Sequence, residues 1–585
     1  MKSSFAAMRL TPQDWIIIAV YLAVLIAIGI AASRRATDTA QYFLGQRRFG
    51  KLLMMAQNFG VATHAEMPVS LAGAVYDQGI SAIWFQWKNL FATPFYWIMA
   101  PVFRRVRRTT TAEMIEDRYG AGLAGLYTLF AFAFFTINMA SILKGAAKVL
   151  NEVLGGHLGV NSIVLGLAAI FILYSFIGGL VASVWSDLVQ GLLIITLSFM
   201  LIPLGWGLLG GLDGMKQILP AQNFSLATPK EIGLWFILML TLNGLIGIMA
   251  QPHMMAAVSS GRDEYTCRIG FFHGNYIKRL CTMGWAIVGL MVAVMIKRGL
   301  FGVHALADPE DAFGFACQHL LSPGFRGLLI ASVMGASLAS CSALMVDSGA
   351  LFAQGFYRPR LARHRSDRHY LWVGRVSGLA TVLIAIVYAL FMIERVLYSF
   401  LLTETLATYM GICIFGGLTW KRANRWGAAS SWMVATLANF LFYHLKHERL
   451  DSWDPNIFLA ALLAGAISLV VVSLLTRPEP EGRLSLFFTQ LRTPSDLTAA
   501  EAAALETSAR RAEPRGQPAP EPGGEVNRWA AEHGRQLLFV NLWGLRRAAG
   551  GAGFLKAYRD DLRGLRAGAA LSAGLVLVFW AFLRL

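Results

Sequence analysis

Charge is what this chain has least of. Of its 585 residues only 15% are Asp, Glu, Lys or Arg, against 56% hydrophobic. A soluble chain of this length carries about 25% charged residues and divides into domains. The deficit excludes an ordinary soluble protein and leaves a chain that satisfies its backbone in lipid, as many spanning helices. Cysteine is scarce as well. Cys267, Cys281, Cys317, Cys341 and Cys413 are odd in number, scattered and mostly within or beside apolar runs, so neither a disulfide framework nor a metal site is expected. Acids are outnumbered by bases, 34 to 51, giving a formal net charge of +17. In a soluble protein that excess raises nucleic acid as a partner. Here the bases cluster between apolar runs and read as topology signals, so no nucleic acid is expected. Also missing is any convergence of nucleophile, base or metal ligands at workable spacing, which argues against an enzyme.

What is present is a series of apolar runs of about twenty residues. Fourteen candidate spans lie near 14–33, 52–76, 80–103, 122–147, 160–180, 184–208, 232–257, 271–296, 324–354, 370–393, 397–419, 425–445, 456–476 and 567–585. The first, Trp15–Ala32, follows little positive charge and reads as a retained helix rather than a cleaved signal. The ninth is long enough to tilt or to extend beyond the bilayer. Basic loops such as "SRRATDTAQYFLGQRRFGK", "FRRVRR", "YRPRLARHRSDRHY" and "TWKRANRWG" follow odd-numbered spans. With the N-terminus outside, they all fall in the cytoplasm, as expected for a multi-pass protein of a bacterial-type plasma (inner) membrane. Residues 477–566, with "RPEPEGRL" and "RRAEPRGQPAPEPGGE", read as a cytoplasmic linker, partly disordered, whose partner the sequence does not name. Inside it, "TPSDLTAAEAAALETSARRA" has the composition of a surface helix.

Ionisable residues within spans are costly and therefore candidates for function: His64, Glu66, Lys88, Lys144, Asp187, His253, Asp347 and Glu404. Lys148 and Lys278 stand nearer span ends and are read as snorkelling. The stretch "FGVATHAEMPVSLAGAVY" (59–76) concentrates the anomaly. A continuous helix would put His64 and Glu66 on different faces. Pro68 removes a donor and disfavours helix at Met67, and Gly60 is permissive upstream. Together they predict a helix interrupted around 61–67, with carbonyls turned toward a cavity, or else a plain proline kink. Broken backbone at mid-depth is tolerated only inside protein or beside water, where transporters use it to bind ions and solutes. Span 9, "GASLASCSALMVDSG", adds Ser337, Ser340, Ser342 and Ser348. Such small residues let helices pack closely, and their hydroxyls also suit a hard cation.

These stretches, in their order, resemble the sodium/solute symporter family over about residues 10–476. The resemblance is carried by "YFLGQRRFG", "TTAEMIEDRYG", "YSFIGGLVASVWSDLVQGLLI" (174–194), "AQPHMMA" around Gln251–His253, "GFYR" closing span 9 and "GLTWKRANRWGA" (417–428). The last span is similar to the extra C-terminal helix of some members. The resemblance implies an all-α integral membrane fold of about 14 helices. Two inverted five-helix repeats would occupy 51–208 (spans 2–6) and 232–420 (spans 7–11), each opening with an interrupted helix. An N-terminal helix and loop (1–50), peripheral helices (425–476) and a C-terminal helix (567–585) would surround them. Asn243, Gly244, Gly247 and Pro252 make a break in span 7 reasonable from composition too.

The same resemblance places the coupling sodium between the span 2 break and span 9. It implies carbonyl ligands at Val61 and His64 and the paired hydroxyl positions at Ala339 and Ser340. Ala339 departs from the family's usual hydroxyl, for which Ser342 or Ser337 can substitute. Asp187 matches an acid linked to sodium use. Thr63, Glu66, Met67, Lys88 and Asn243 are the expected solute-facing residues, with Lys88 meeting an anionic group or pairing with Glu66. The expectation is a sodium/small-organic-solute symporter working by alternating access. Its solute is anionic or zwitterionic by the hint of Lys88 and Lys144, and it needs no cofactor besides Na+. Two rivals stay open: a proton-coupled or uncoupled transporter of the same fold, and a transporter-like membrane sensor.

Overall fold

The computed structural model describes residues 10–33, 47–156, 158–228, 231–447, 453–497, 535–542 and 551–585, leaving aside the side chains of 25–26, 28–33, 173–187 and 551–552. Among the described residues regular structure is helical. Eight helices are long and apolar enough to cross a membrane, and three shorter apolar helices join them. In chain order the elements that matter are α1 (Pro12–Ser33), α2 (Lys51–Ala62), α3 (Glu66–Gln78), α4 (Thr93–Val106), α5 (Thr111–Tyr119), α6 (Ala121–Val153) and α7 (Val160–Leu209). The second half contains α8 (Leu234–Gly247), α9 (Met254–Ser259), α10 (Glu264–Lys297), α11 (Ala312–Leu320), α12 (Phe325–Ala350), α13 (Asp367–Phe391), α14 (Val396–Thr419), α15 (Arg425–Leu445) and α16 (Pro455–Leu475). After these come α17 (Glu481–Arg492) and α18 (Arg559–Arg584).

Burial separates centre from rim. The apolar window of α12 is 100% buried, whereas that of α18 is only 17% buried, so α12 is a core helix and α18 faces lipid over most of its surface. Helix α10 packs against α2, α3 and α4, and α12 against α1, α6, α7 and α13. Helix α12 runs on through a π-helical turn, Leu351–Tyr357, to Arg360, and so reaches the extra length its sequence suggests.

Two expected spans differ in the structure. Segments 160–180 and 184–208 run as one helix, α7. No proline separates them, and the Gly178–Gly179 pair alone does not stop a helix. The third span, expected over 80–103, is in pieces: a 3-10 turn Ile80–Ile83, a short helix Trp84–Trp87, and then α4 from Thr93. Pro94 accounts for part of this. It lacks the N–H that would bond the Leu90 carbonyl, and that carbonyl instead accepts a hydrogen bond from Ser572 Oγ of α18 at 2.8 Å. Ser572 also meets the Tyr276 hydroxyl at 2.8 Å, tying α4's entry to α10.

Polar caps fix the membrane-flanking segments. Thr110 and Glu113 form a reciprocal capping box on α5. Arg118, buried, donates to the carbonyls of Gly417, Trp420 and Ala423 and so satisfies the end of α14. Arg105 makes a two-pronged pair with Glu264, both contacts 2.9 Å, and also donates to the carbonyls of Leu491, Arg492 and Arg535. The described parts of 477–566 are therefore docked against the helices. Helix α17 buries Phe487, Phe488 and Leu491, and Leu537–Val540 is buried as well. Averaged composition hides these short apolar islands. The surface helix expected from "TPSDLTAAEAAALETSARRA" lies almost wholly outside the described residues.

Ser572→Ala removes the partner of a carbonyl that Pro94 leaves without an intrahelical bond. A loss of about 1–3 kcal/mol is expected for a buried acceptor left unpaired. Thermal unfolding in detergent checks it; an unchanged melting temperature contradicts the bond's importance.

Candidate functional site

The helix interruption in the second span is real and short. Helix α2 stops at Ala62, Thr63 is extended (φ −133°, ψ 104°), and α3 starts at Glu66. Met67 is helical, so the break expected over 61–67 narrows to Thr63–Ala65. Pro68 explains where the second helix can begin, because in a first turn its missing N–H deprives no carbonyl of a partner. Gly145 of α6 makes room for the break. A Cβ there would stand 2.4 Å from that of Glu66.

The break also changes which side chains meet. His64 and Glu66, on different faces of a continuous helix, lie 2.9 Å apart between Nδ1 and Oε1. The other ring nitrogen, Nε2, is 2.6 Å from the Val61 carbonyl. Both ring nitrogens thus face acceptors.

A second break faces the first. Helix α8 tightens into a 3-10 turn, Ile248–Ala250, and Gln251 is extended (ψ 121°) as the residue before a proline prefers. Pro252 and His253 then lead into α9. The Ala250 carbonyl accepts from the Tyr127 hydroxyl of α6 at 2.9 Å.

Between the breaks lies a cavity of about 40 Å³ lined by Val61, His64 and Met67 on one side and Gln251 and His253 on the other, with Asn89, Asn138, Lys278 and Glu404 completing it. That volume takes a small number of water molecules, so an amino-acid-sized solute needs the walls to part. Gly244 of α8 admits Asn89, whose Oδ1 lies 1.7 Å from where a Cβ would be. Among the described residues Thr63 Oγ1, Glu66 Oε2, Asn89 Oδ1, Asn243 Oδ1 and His253 Nδ1 are buried without hydrogen-bond partners. Two of these residues, Asn89 and His253, line the cavity, and orphaned polar atoms there mark a place suited to a polar guest or to water.

The buried charges are uneven. Lys88 pairs with Glu404 of α14, not with Glu66, and lies over the Phe400 ring at 4.6 Å. Arg279 donates to the Gln86 carbonyl at 3.1 Å. Lys278, 5% exposed, makes no ion pair or hydrogen bond through Nζ among the described residues. Three basic side chains, Lys88, Lys278 and Arg279, therefore stand against the two acidic ones, Glu66 and Glu404. Lys278 does not snorkel: α10 begins at Glu264, seven residues before the expected span, which puts Lys278 well inside the helix. Lys148 is paired too, with Asp308 and Glu310. Lys144 instead bonds Asn161 at the exposed side of α6, away from the cavity.

The remaining candidates divide. Asn243 is buried but turned to α14, donating to Thr405 Oγ1 at 3.0 Å. Ala339, Ser340 and Ser342 are all buried in α12. The α12 residues that line a small cavity with His64, Ala65 and Pro68 are Leu329, Ser332, Val333 and Ala336. Ser340 is one turn beyond Ala336 on the same helix face, and the two cavities do not include it. The Asp187 side chain lies outside the described residues.

A profile of the sodium:solute symporter family matches residues 42–435. The chain belongs to that family. Among similar proteins, the sodium/proline symporter of Escherichia coli (strain K12) is 26% identical over 479 residues, covering 78% of this chain and 92% of the relative. The osmoregulated proline transporter of Bacillus subtilis (strain 168) is 23% identical over 485 residues, covering 80% and 96%. A solved Na+-coupled sialic acid symporter, 17% identical, aligns with a TM-score of 0.70 over 80% of this chain and 98% of its own; that likeness speaks for the fold. As a sodium:solute symporter, the chain is a multi-pass membrane transporter that couples solute to sodium, and not an enzyme.

Glu404→Gln leaves the Lys88 ammonium buried without its counter-charge, a cost of about 3–5 kcal/mol. The double variant Lys88→Met with Glu404→Gln recovers most of it. Melting temperatures of the three proteins check this, and additive losses contradict the pair.

Proposed function

We propose that the cavity between the two breaks receives the solute and that the solute carries a carboxylate. The observation behind this is Lys278, a buried lysine beside the cavity with no acid of its own among the described residues. Unpaired charge in a membrane interior is costly, so its counter-charge is expected to arrive with the solute. An amino acid of proline's kind, which the named relatives carry, fits both the carboxylate and the surrounding orphaned amides. Sodium is assigned to the Val61 and His64 carbonyls with Ser340, and with Ser342 or Ser337 in place of the hydroxyl Ala339 lacks. Asp187 takes a supporting role. Thr63, Glu66, Met67 and Asn243 stay near the solute, and Lys88 moves to a structural role.

The two breaks support two inverted repeats, 51–208 and 232–420, within a fold of about 14 helices. Residues 1–50, 425–476 and 567–585 form the periphery, and 477–566 the linker. Rocking of the helices bearing the breaks would open the cavity to alternate sides. The basic loops favour an N-terminus outside and a cytoplasmic linker in a plasma membrane. One sodium moving down 100 mV supplies about 2.3 kcal/mol, enough for about fifty-fold accumulation.

One observation favours protons as the coupling ion instead. The His64 ring, held by Glu66, occupies the Val61 carbonyl that sodium would need.

Proteoliposomes tested with L-proline and other small amino acids should accumulate solute under an inward sodium gradient. Lys278→Met should raise KM by about ten-fold or more, the value of one charged hydrogen bond. Uptake driven equally by a pH gradient without sodium selects the proton reading. Unchanged KM in Lys278→Met removes the carboxylate site.

A further inference from the structure

Outside the cavity between the breaks, a second cavity of about 530 Å³ lies where α18 meets α10, α4 and the docked linker. It is a groove with two ends of different character. Along α10 its wall is Tyr265, Ile269 and His273, and along α18 it is Arg563, Ala567 and Leu571. Each set is spaced by four, so each forms one helix face. Along α10 the face passes from Tyr265, near the charged helix beginning, to Ile269 and then His273. Along α18 it passes from Arg563, near the charged beginning, to Leu571, which opens the apolar run that continues to Leu583. This change from charged to apolar marks the membrane boundary.

The groove remains open. Tyr265 is 52% and Leu571 46% exposed, although α18 approaches α4 closely at Gly564, against Trp97, and at Gly568, against Pro94. At its polar end most charges are already matched. Arg268 pairs with Asp561 at 2.5 Å, and Arg535 with Asp496 at 2.8 Å. Arg563 is not: among the described residues it has no ion pair and no hydrogen bond. Of the four arginines that line the groove, Arg105, Arg268 and Arg535 pair with Glu264, Asp561 and Asp496, and Asp560 lies beside Arg559, which leaves Arg563 without an acid of its own.

We propose that this groove binds one anionic phospholipid of the leaflet that borders the linker. The headgroup phosphate meets Arg563, and an acyl chain lies along Ile269 and Leu571. Position, polarity gradient and the spare guanidinium together fit a lipid, since a free anion would have no use for the apolar end. A bound lipid would bridge α10 and α18. Tyr276, two residues before Lys278, already donates to the Gly568 carbonyl of α18 at 2.7 Å.

The test uses the full chain purified in mild detergent. Native mass spectrometry records retention of phosphatidylglycerol and phosphatidylcholine, each added at equal concentration. The expected result is preferential retention of phosphatidylglycerol. Arg563→Ala should weaken it about five-fold, the worth of one basic residue near a lipid surface. Ala567→Trp, which fills the groove, should abolish it. Both positions are exposed, and a melting temperature equal to wild type confirms that each variant folds. Equal retention of the two lipids overturns the proposal. So does retention unaffected by both variants, or full displacement of the lipid by inorganic phosphate, which would indicate a headgroup-anion site without chain recognition.

Discussion

In a bilayer every backbone donor and acceptor must be satisfied by the protein itself, or by water that the protein admits. The rest of this structure depends on that constraint. Two helices stop at mid-chain, at Thr63–Ala65 and at Gln251–His253, and the exposed backbone is tolerated because the breaks face each other across a polar cavity. Ion pairs and amides then collect where the backbone is already open. The polar interior is a consequence of the breaks as much as a partner to them.

That interior is packed in this conformation. The space between the breaks is far smaller than an amino acid, and His64 closes onto the Val61 carbonyl. Solute entry therefore means separating α2–α3 and α8–α9 from the scaffold of α6, α10 and α14. Helix α18 braces one wall of that scaffold. It serves the Leu90 carbonyl that Pro94 strands, and it bonds Tyr276 of α10. A segment that looks peripheral by burial is thus bonded to both α10 and the entry of α4.

Much of this was legible in the sequence. Low charge and repeated apolar runs announce the membrane class, and Gly60 with Pro68 announces the first break. The ninth span's excess length reappears in α12 and its continuation. What was hidden is mostly three-dimensional. The His64–Glu66 contact exists only because the helix is broken, so a helical wheel denies it. Glu404 as the partner of Lys88 is more than three hundred residues away in sequence, beyond any local pattern. Lys278 was misplaced because the apolar signal of its helix begins later than the helix itself. The docked linker was hidden by averaging short apolar islands into a polar composition.

The central claim is a sodium site at the first break. Its most direct test is thermal stability of the purified chain, titrated with sodium against potassium or choline at constant ionic strength, with Ser340→Ala and Asp187→Asn alongside. The account predicts saturable stabilisation by sodium alone, reaching about 2.7 kcal/mol at a hundred times Kd and weakened in Ser340→Ala. Stability that ignores sodium and shifts only with pH would contradict it.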